Sequence, residues 1–149
     1  MRAWLAILFC GLAVGLHAQQ PAFEEGRARF CAVDIYLDSG STPLAAYQLE
    51  FSSTNGVAKI VGIEGGEPPP FRNAPFYDPK ALQHERVIIA AFSTLPASQL
   101  PSGKFRVATI HLQIPTGVEP AFTIKLQTAA DSHENKISVQ SSIAQRFPK

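Results

Sequence analysis

Apolar residues recur at every second position in several short stretches, and each stretch stops at a Gly, Pro, Asn or Asp. From Phe30 to Leu37, Val33, Ile35 and Leu37 alternate with Asp34 and Tyr36, the period of a strand with one face buried. Asp38-Ser39-Gly40 ends it. From Leu44 to Phe51, Ala45, Tyr47, Leu49 and Phe51 share one face while Ala46, Gln48 and Glu50 share the other. Asn55-Gly56 then predicts a hairpin, because both residues tolerate the positive φ of a tight primed turn, leading into a third strand from Val57 to Ile63.

Arg86 to Ser93, RVIIAAFS, is almost continuously apolar and rich in β-branched residues. It predicts a core strand, either central and covered on both faces or running under the preceding loop. Phe105 to Ile114 alternates again, with Ala108, Ile110, Leu112 and Ile114 opposed to Thr109, His111 and Gln113. Phe122, Ile124 and Leu126 mark another strand, and Ile137 to Arg146 supplies one or two more. Asp78-Pro79 predicts a single helical turn through Gln83, with Asp at the N-cap and Pro first in the turn. Seven or more short, regularly spaced strands without a long amphipathic helix predict an all-β antiparallel sandwich or barrel.

The N-terminus changes the size of that domain. Arg2, an apolar run from Ala3 to Leu16 and small residues around Ala18 have the layout of a signal peptide, and the run is shorter than the roughly 20 residues that span a bilayer. Bulky Phe9 before Cys10 argues against a lipid anchor. The expected organisation is therefore signal peptide 1–18, leader 19–29 and one domain over 30–149, secreted or periplasmic and without membrane attachment after cleavage. About 130 residues remain, enough for one core.

Without Arg2, twelve basic residues stand against twelve acidic ones. Neither a nucleic acid nor an anionic membrane surface is expected as partner, since both need a basic patch. Cys31 is then the sole cysteine and can form no internal bridge; the expectation is a small buried hydrophobe rather than a reactive thiol. Asn55, Asn73 and Asn135 are not glycosylation acceptors, which fits a bacterial exported protein.

The segment with most functional promise is the loop EGGEPPPFRNAPFYDP, from Glu64 to Pro79. Pro68, Pro69 and Pro70 remove three backbone donors in a row, and Gly65 and Gly66 permit unusual conformations. Phe71, Phe76 and Tyr77 could stack on a sugar or anchor a partner protein; Glu64 and Asp78 flank them as polar ligand contacts. The competing reading has the rings folding back to cap one end of the sandwich, with Phe71 and Phe76 suited to that and Tyr77, with its polar tip, to the surface.

No catalytic constellation accompanies the loop. His84, His111 and His133 lack metal-ligand spacing, and the Asp131–Lys136 turn lacks the Gly and distal Glu of a calcium loop. No metal or other cofactor is expected. Neither a Gly-x-Ser-x-Gly elbow nor a Cys–His pairing is present. Glu64, Glu67, Asp78 and Glu85 leave a small carbohydrate-active enzyme as the lowest alternative, since glycosidases need only two converging carboxylates.

VDIYLDSGSTPLAAYQLEF and RVIIAAFSTLPASQLPSGKFRVATIHLQI together resemble the cohesin-type sandwich, which belongs with the family 2 and 3 carbohydrate-binding modules. The order of features carries the resemblance: an opening strand, a small-residue segment, the aromatic-x-aliphatic-x-Phe strand Tyr47 to Phe51, and later a hydrophobic strand, then Gly103 before Phe105 to Ile114. The resemblance implies a jelly-roll sandwich of about nine strands, immunoglobulin-like in appearance. It implies a noncatalytic module holding a protein partner or a polysaccharide. A structural or accessory cell-envelope protein, with the loop simply closing the sandwich, is the alternative reading. No family binding residue aligns with the Pro-rich loop.

Overall fold

The computed structural model describes residues 27–147. The expected signal peptide, Cys10 and most of the expected leader lie outside the described residues. Seven strands form two antiparallel sheets: β1 (Ala28–Asp38), β2 (Ala46–Ser53), β3 (Lys59–Gly65), β4 (Arg86–Phe92), β5 (Lys104–Pro115), β6 (Phe122–Ala130) and β7 (Gln140–Arg146). One sheet runs β3-β5-β1-β7 and the other β4-β2-β6. The fold is an antiparallel β-sandwich with seven strands among the described residues, rather than about nine; Ile137 to Arg146 yields one of them.

Every successive strand changes sheet, so no two strands consecutive in sequence pair with each other. The Asn55-Gly56 hairpin is therefore a correction. Gly56 has the positive φ of a turn, 65°, but the turn carries the chain from β2 across to β3 in the opposite sheet. The Asn55 side chain is spent on tying connections together: its amide donates to the Glu119 carbonyl at 3.0 Å, and its oxygen accepts from the Ser53 hydroxyl at 2.9 Å.

The alternating positions meet between the sheets. Cys31, Val33, Ile35 and Leu37 of β1 and Ile110, Leu112 and Ile114 of β5 face Tyr47, Leu49 and Phe51 of β2, all buried. A bulge where β1 pairs with β5, between Ile35 and Tyr36, breaks the alternation, and both Val107 and Ala108 are buried. Burial pushes the Cys31 thiol up from its ordinary value, only partly offset by the charge of Arg29, so the residue packs as a small hydrophobe.

β4 is not a central strand. It pairs on one side with β2 and forms the margin of its sheet. Val87 and Ile89 enter the core, while Ile88 and Phe92 are 40% and 63% exposed. The run is continuously apolar because its outward positions are apolar too, and period alone does not separate that case from two-sided burial. The central loop borders this strand: Phe76 exchanges two backbone hydrogen bonds with Ala90, at 2.7 and 2.9 Å.

Candidate functional site

The loop between β3 and β4 is shaped by close backbone contacts. The Gly66 N–H donates to the Phe71 carbonyl at 2.7 Å and the Glu67 N–H to the Arg106 carbonyl at 3.0 Å. A Cβ at Gly65 would lie 2.1 Å from the Arg72 carbonyl oxygen, and one at Gly66 would lie 2.2 Å from that of Arg106. Neither glycine has a positive φ, so what they supply is room for backbone to pass backbone. Pro69 to Phe71 form a 3-10 turn, which the fixed φ of proline favours. A second turn, Pro79–Ala81, starts where Asp78 accepts from the Lys80 N–H at 3.0 Å, at the Asp-Pro signal read from sequence.

These turns send the loop's aromatic rings to different places. Phe71 points inward and is 2% exposed, wedged between Tyr47 at 5.5 Å, edge-on, and Phe105 at 6.3 Å, stacked. It is a core residue with no surface to offer. Tyr77, expected as the surface ring, is half-buried against the core. Phe76, expected to fold back as readily as Phe71, stands 68% exposed. Its backbone is locked to β4, which turns its ring outward beside Phe92, with centroids 5.9 Å apart and planes 12° from parallel.

Phe76, Ile88, Ala90 and Phe92 thus line one margin of the outward face of the β4-β2-β6 sheet. Much of the rest of that face is polar, with side chains hydrogen-bonded to one another. Gln48 donates to Gln127, the Ser52 and Thr123 hydroxyls are 3.0 Å apart, and Arg86 pairs with Glu50 at 2.7 Å. The Arg86 hydrogen bond, with its charge and that of Lys125, holds the Glu50 carboxyl below its usual range against a smaller opposing effect of burial. A flat polar strip therefore flanks an apolar ledge whose rings are held in place from below. In the sequence Ile88 and Phe92 belong to an unbroken apolar run, which reads as core and hides their place at the surface.

The two acidic candidates stand apart from this ledge. Asp78 is occupied as a cap. Glu64 lies on the other sheet, where its Oε1 is 3.1 Å from His111 Nε2, off the line of a proper hydrogen bond. Nearby, a depression of about 450 Å³ is lined by Phe30, Ala32, Val61, His111, Arg146 and Phe147. Its strongest cation is committed: Arg146 binds Asp34 through two nitrogens, at 2.6 and 2.8 Å. Among the described residues no group of three His, Cys, Asp or Glu is arranged to hold a metal ion.

No family model and no curated protein matches the sequence. The fold has solved counterparts. A non-cellulosomal cohesin from the hyperthermophilic archaeon Archaeoglobus fulgidus aligns at a TM-score of 0.57 and 12% identity over 75% of each chain. A chain of the CaDoc0917–CaCohA2 complex aligns at 0.58 and 12% identity, over 73% of this chain and 82% of its own. The chain therefore has a cohesin-type β-sandwich fold.

Proposed function

We propose that the chain is a noncatalytic protein-binding module that works outside the cytoplasm and docks its partner on the outward face of the β4-β2-β6 sheet. The observation that carries this reading is the Phe76–Phe92 pair, two large rings more than 60% exposed and held rigid by the backbone bridge between the loop and β4. Leaving this much aromatic surface in water costs free energy that a partner recovers on contact. Rigid rings lose little entropy when they are buried, which is why aromatic anchors dominate interface energetics. The hydrogen-bonded strip beside them gives the polar rim that such interfaces have.

The fold is consistent with this role: one structural counterpart belongs to a complex of two proteins. Export rests on the signal-peptide layout of residues 1–18. A polysaccharide is the competing ligand, because paired rings also stack on sugars.

The test is capture from the source organism's extracytoplasmic fraction with immobilised wild-type domain and with an F76A/F92A variant, alongside a polysaccharide panel. Both rings are exposed, so the variant keeps its fold. Capture of a protein that weakens at least about 30-fold in the variant, corresponding to a hot spot of about 2 kcal/mol, supports the proposal. Retention on a polysaccharide, or protein capture indifferent to the two substitutions, overturns it.

A further inference from the structure

The sheets have four margins, and three of them are managed. At β3, the Ile60 carbonyl accepts from the Gln83 N–H at 2.7 Å, and the Ile60 N–H donates to the His84 carbonyl at 2.9 Å. At β4, Phe76 bridges to Ala90. At β6, the reversal after Ala130 brings the Ile137 N–H onto the Ala129 carbonyl at 3.0 Å, a bulge opposite Gln48 and Leu49 bends the strand, and Lys125 stands mid-strand. These are the ordinary devices that keep an edge strand from recruiting another.

β7 has none of them. It pairs with β1 through seven consecutive residues without a register shift, and its other side meets no backbone partner among the described residues. Its sequence, Gln-Ser-Ser-Ile-Ala-Gln-Arg, holds no proline and no glycine. Its one charge, Arg146, is neutralised by Asp34 of the neighbouring strand. The inward side chain at its centre, Ile143, is half-buried and packs against the core, and strand addition would cover it further.

We propose that this edge pairs antiparallel with β7 of a second copy of the chain, joining two four-stranded sheets into one of eight. The two-fold geometry fixes the register. Residues directly opposite in an antiparallel ladder point to the same face, and inward residues of both copies must share a face, so a residue on the axis pairs with itself. Of the possible centres, Ile143 alone pairs all seven residues. It sets Ile143 against Ile143, Ser142 against Ala144, Ser141 against Gln145 and Gln140 against Arg146. No like charges meet, the small residues lie across from one another, and the central contact is apolar. The Phe76–Phe92 ledge is on the other sheet, so each copy keeps its own.

The test is sedimentation equilibrium of the whole chain over a wide concentration range. An S142K/A144K variant places lysines directly across from one another in both symmetric pairs. Thermal unfolding in dilute solution checks that the variant is folded. A concentration-dependent dimer in the wild type, weakened at least tenfold in the variant and restored as a heterodimer on mixing with S142E/A144E, is the expected result. A wild type that stays monomeric throughout, a dimer that the lysines leave intact, or lysine variants that mixing does not rescue would each overturn the proposal.

Discussion

Asp34 faces outward from the middle of β1, yet its side chain is only 7% exposed. Arg146 reaches over from β7 with nitrogens 2.6 and 2.8 Å from the two carboxylate oxygens. From β5, the Thr109 hydroxyl donates to Oδ1 at 2.7 Å, and Arg106 donates to that hydroxyl at 2.5 Å with its guanidinium 3.9 Å from the carboxylate. Burial pushes the carboxyl pKa up, but the Arg146 and Thr109 hydrogen bonds and the charges of Arg146 and Arg106 together outweigh it and leave the group below its ordinary value. The carboxylate thereby fastens β7 to β1 and β5. Asp34→Asn keeps the shape and one acceptor oxygen but turns an amide donor toward a guanidinium and removes the charge.

A hydrogen bond to a charged group contributes about 1.5–3 kcal/mol. The Arg146 side chain is 58% exposed, so water screens its share and places the loss near the lower end, at about 2 kcal/mol. For a domain of this size that is roughly 6–10 °C in Tm. The sign with pH follows from the lowered native pKa. The contribution is complete above the unfolded value of about 3.9 and is lost as pH falls through the native one, where the wild type must also protonate. Urea unfolding of both proteins at pH 6 and pH 2 should show a gap of about 2 kcal/mol that narrows sharply in acid. A gap of equal size at both pH values would refute the electrostatic account, and a gap below about 0.5 kcal/mol at pH 6 would refute the role of Asp34 altogether.

Three further outcomes are expected. Phe71→Ala opens a cavity between Tyr47 and Phe105 and should cost about 3–5 kcal/mol in urea unfolding, which a surface ring would not. Gly66→Ala puts a methyl group against the Arg106 carbonyl oxygen, 2.2 Å away; since backbone cannot yield cheaply, the loop should detach from β5, seen as faster amide exchange at Glu67 and Phe71 and as lost stability. Burial pushes the Tyr47 phenol far above its ordinary value while its hydroxyl donates to the Val107 carbonyl at 3.2 Å. Tyr47 should therefore fail to ionise near pH 10 in an absorbance titration and do so only on unfolding. Because that native pKa is raised, the residue's contribution to stability is complete below about 10 and is lost as pH climbs above it.

Period-two patterning was enough to place β1, β2, β5 and most of β6, because a half-buried strand must alternate and its turns must break. Ala45, Tyr47, Leu49 and Phe51 were legible as one face for that reason, and Asp78-Pro79 was legible as a cap because its chemistry is local. What depended on partners far along the chain was not written in any window. Asn55-Gly56 makes a turn wherever it occurs, but whether the next strand returns to the same sheet or crosses to the other depends on where β5 and β6 lie. RVIIAAFS reads alike for a strand buried on both faces and for an edge strand with an apolar ledge; only the sheet order, with β4 outermost, tells them apart. The same holds for the loop rings. Phe71 and Phe76 are five residues apart in similar company, and the backbone's passage past Arg106 and its bridge to Ala90 turn one into the core and the other into water.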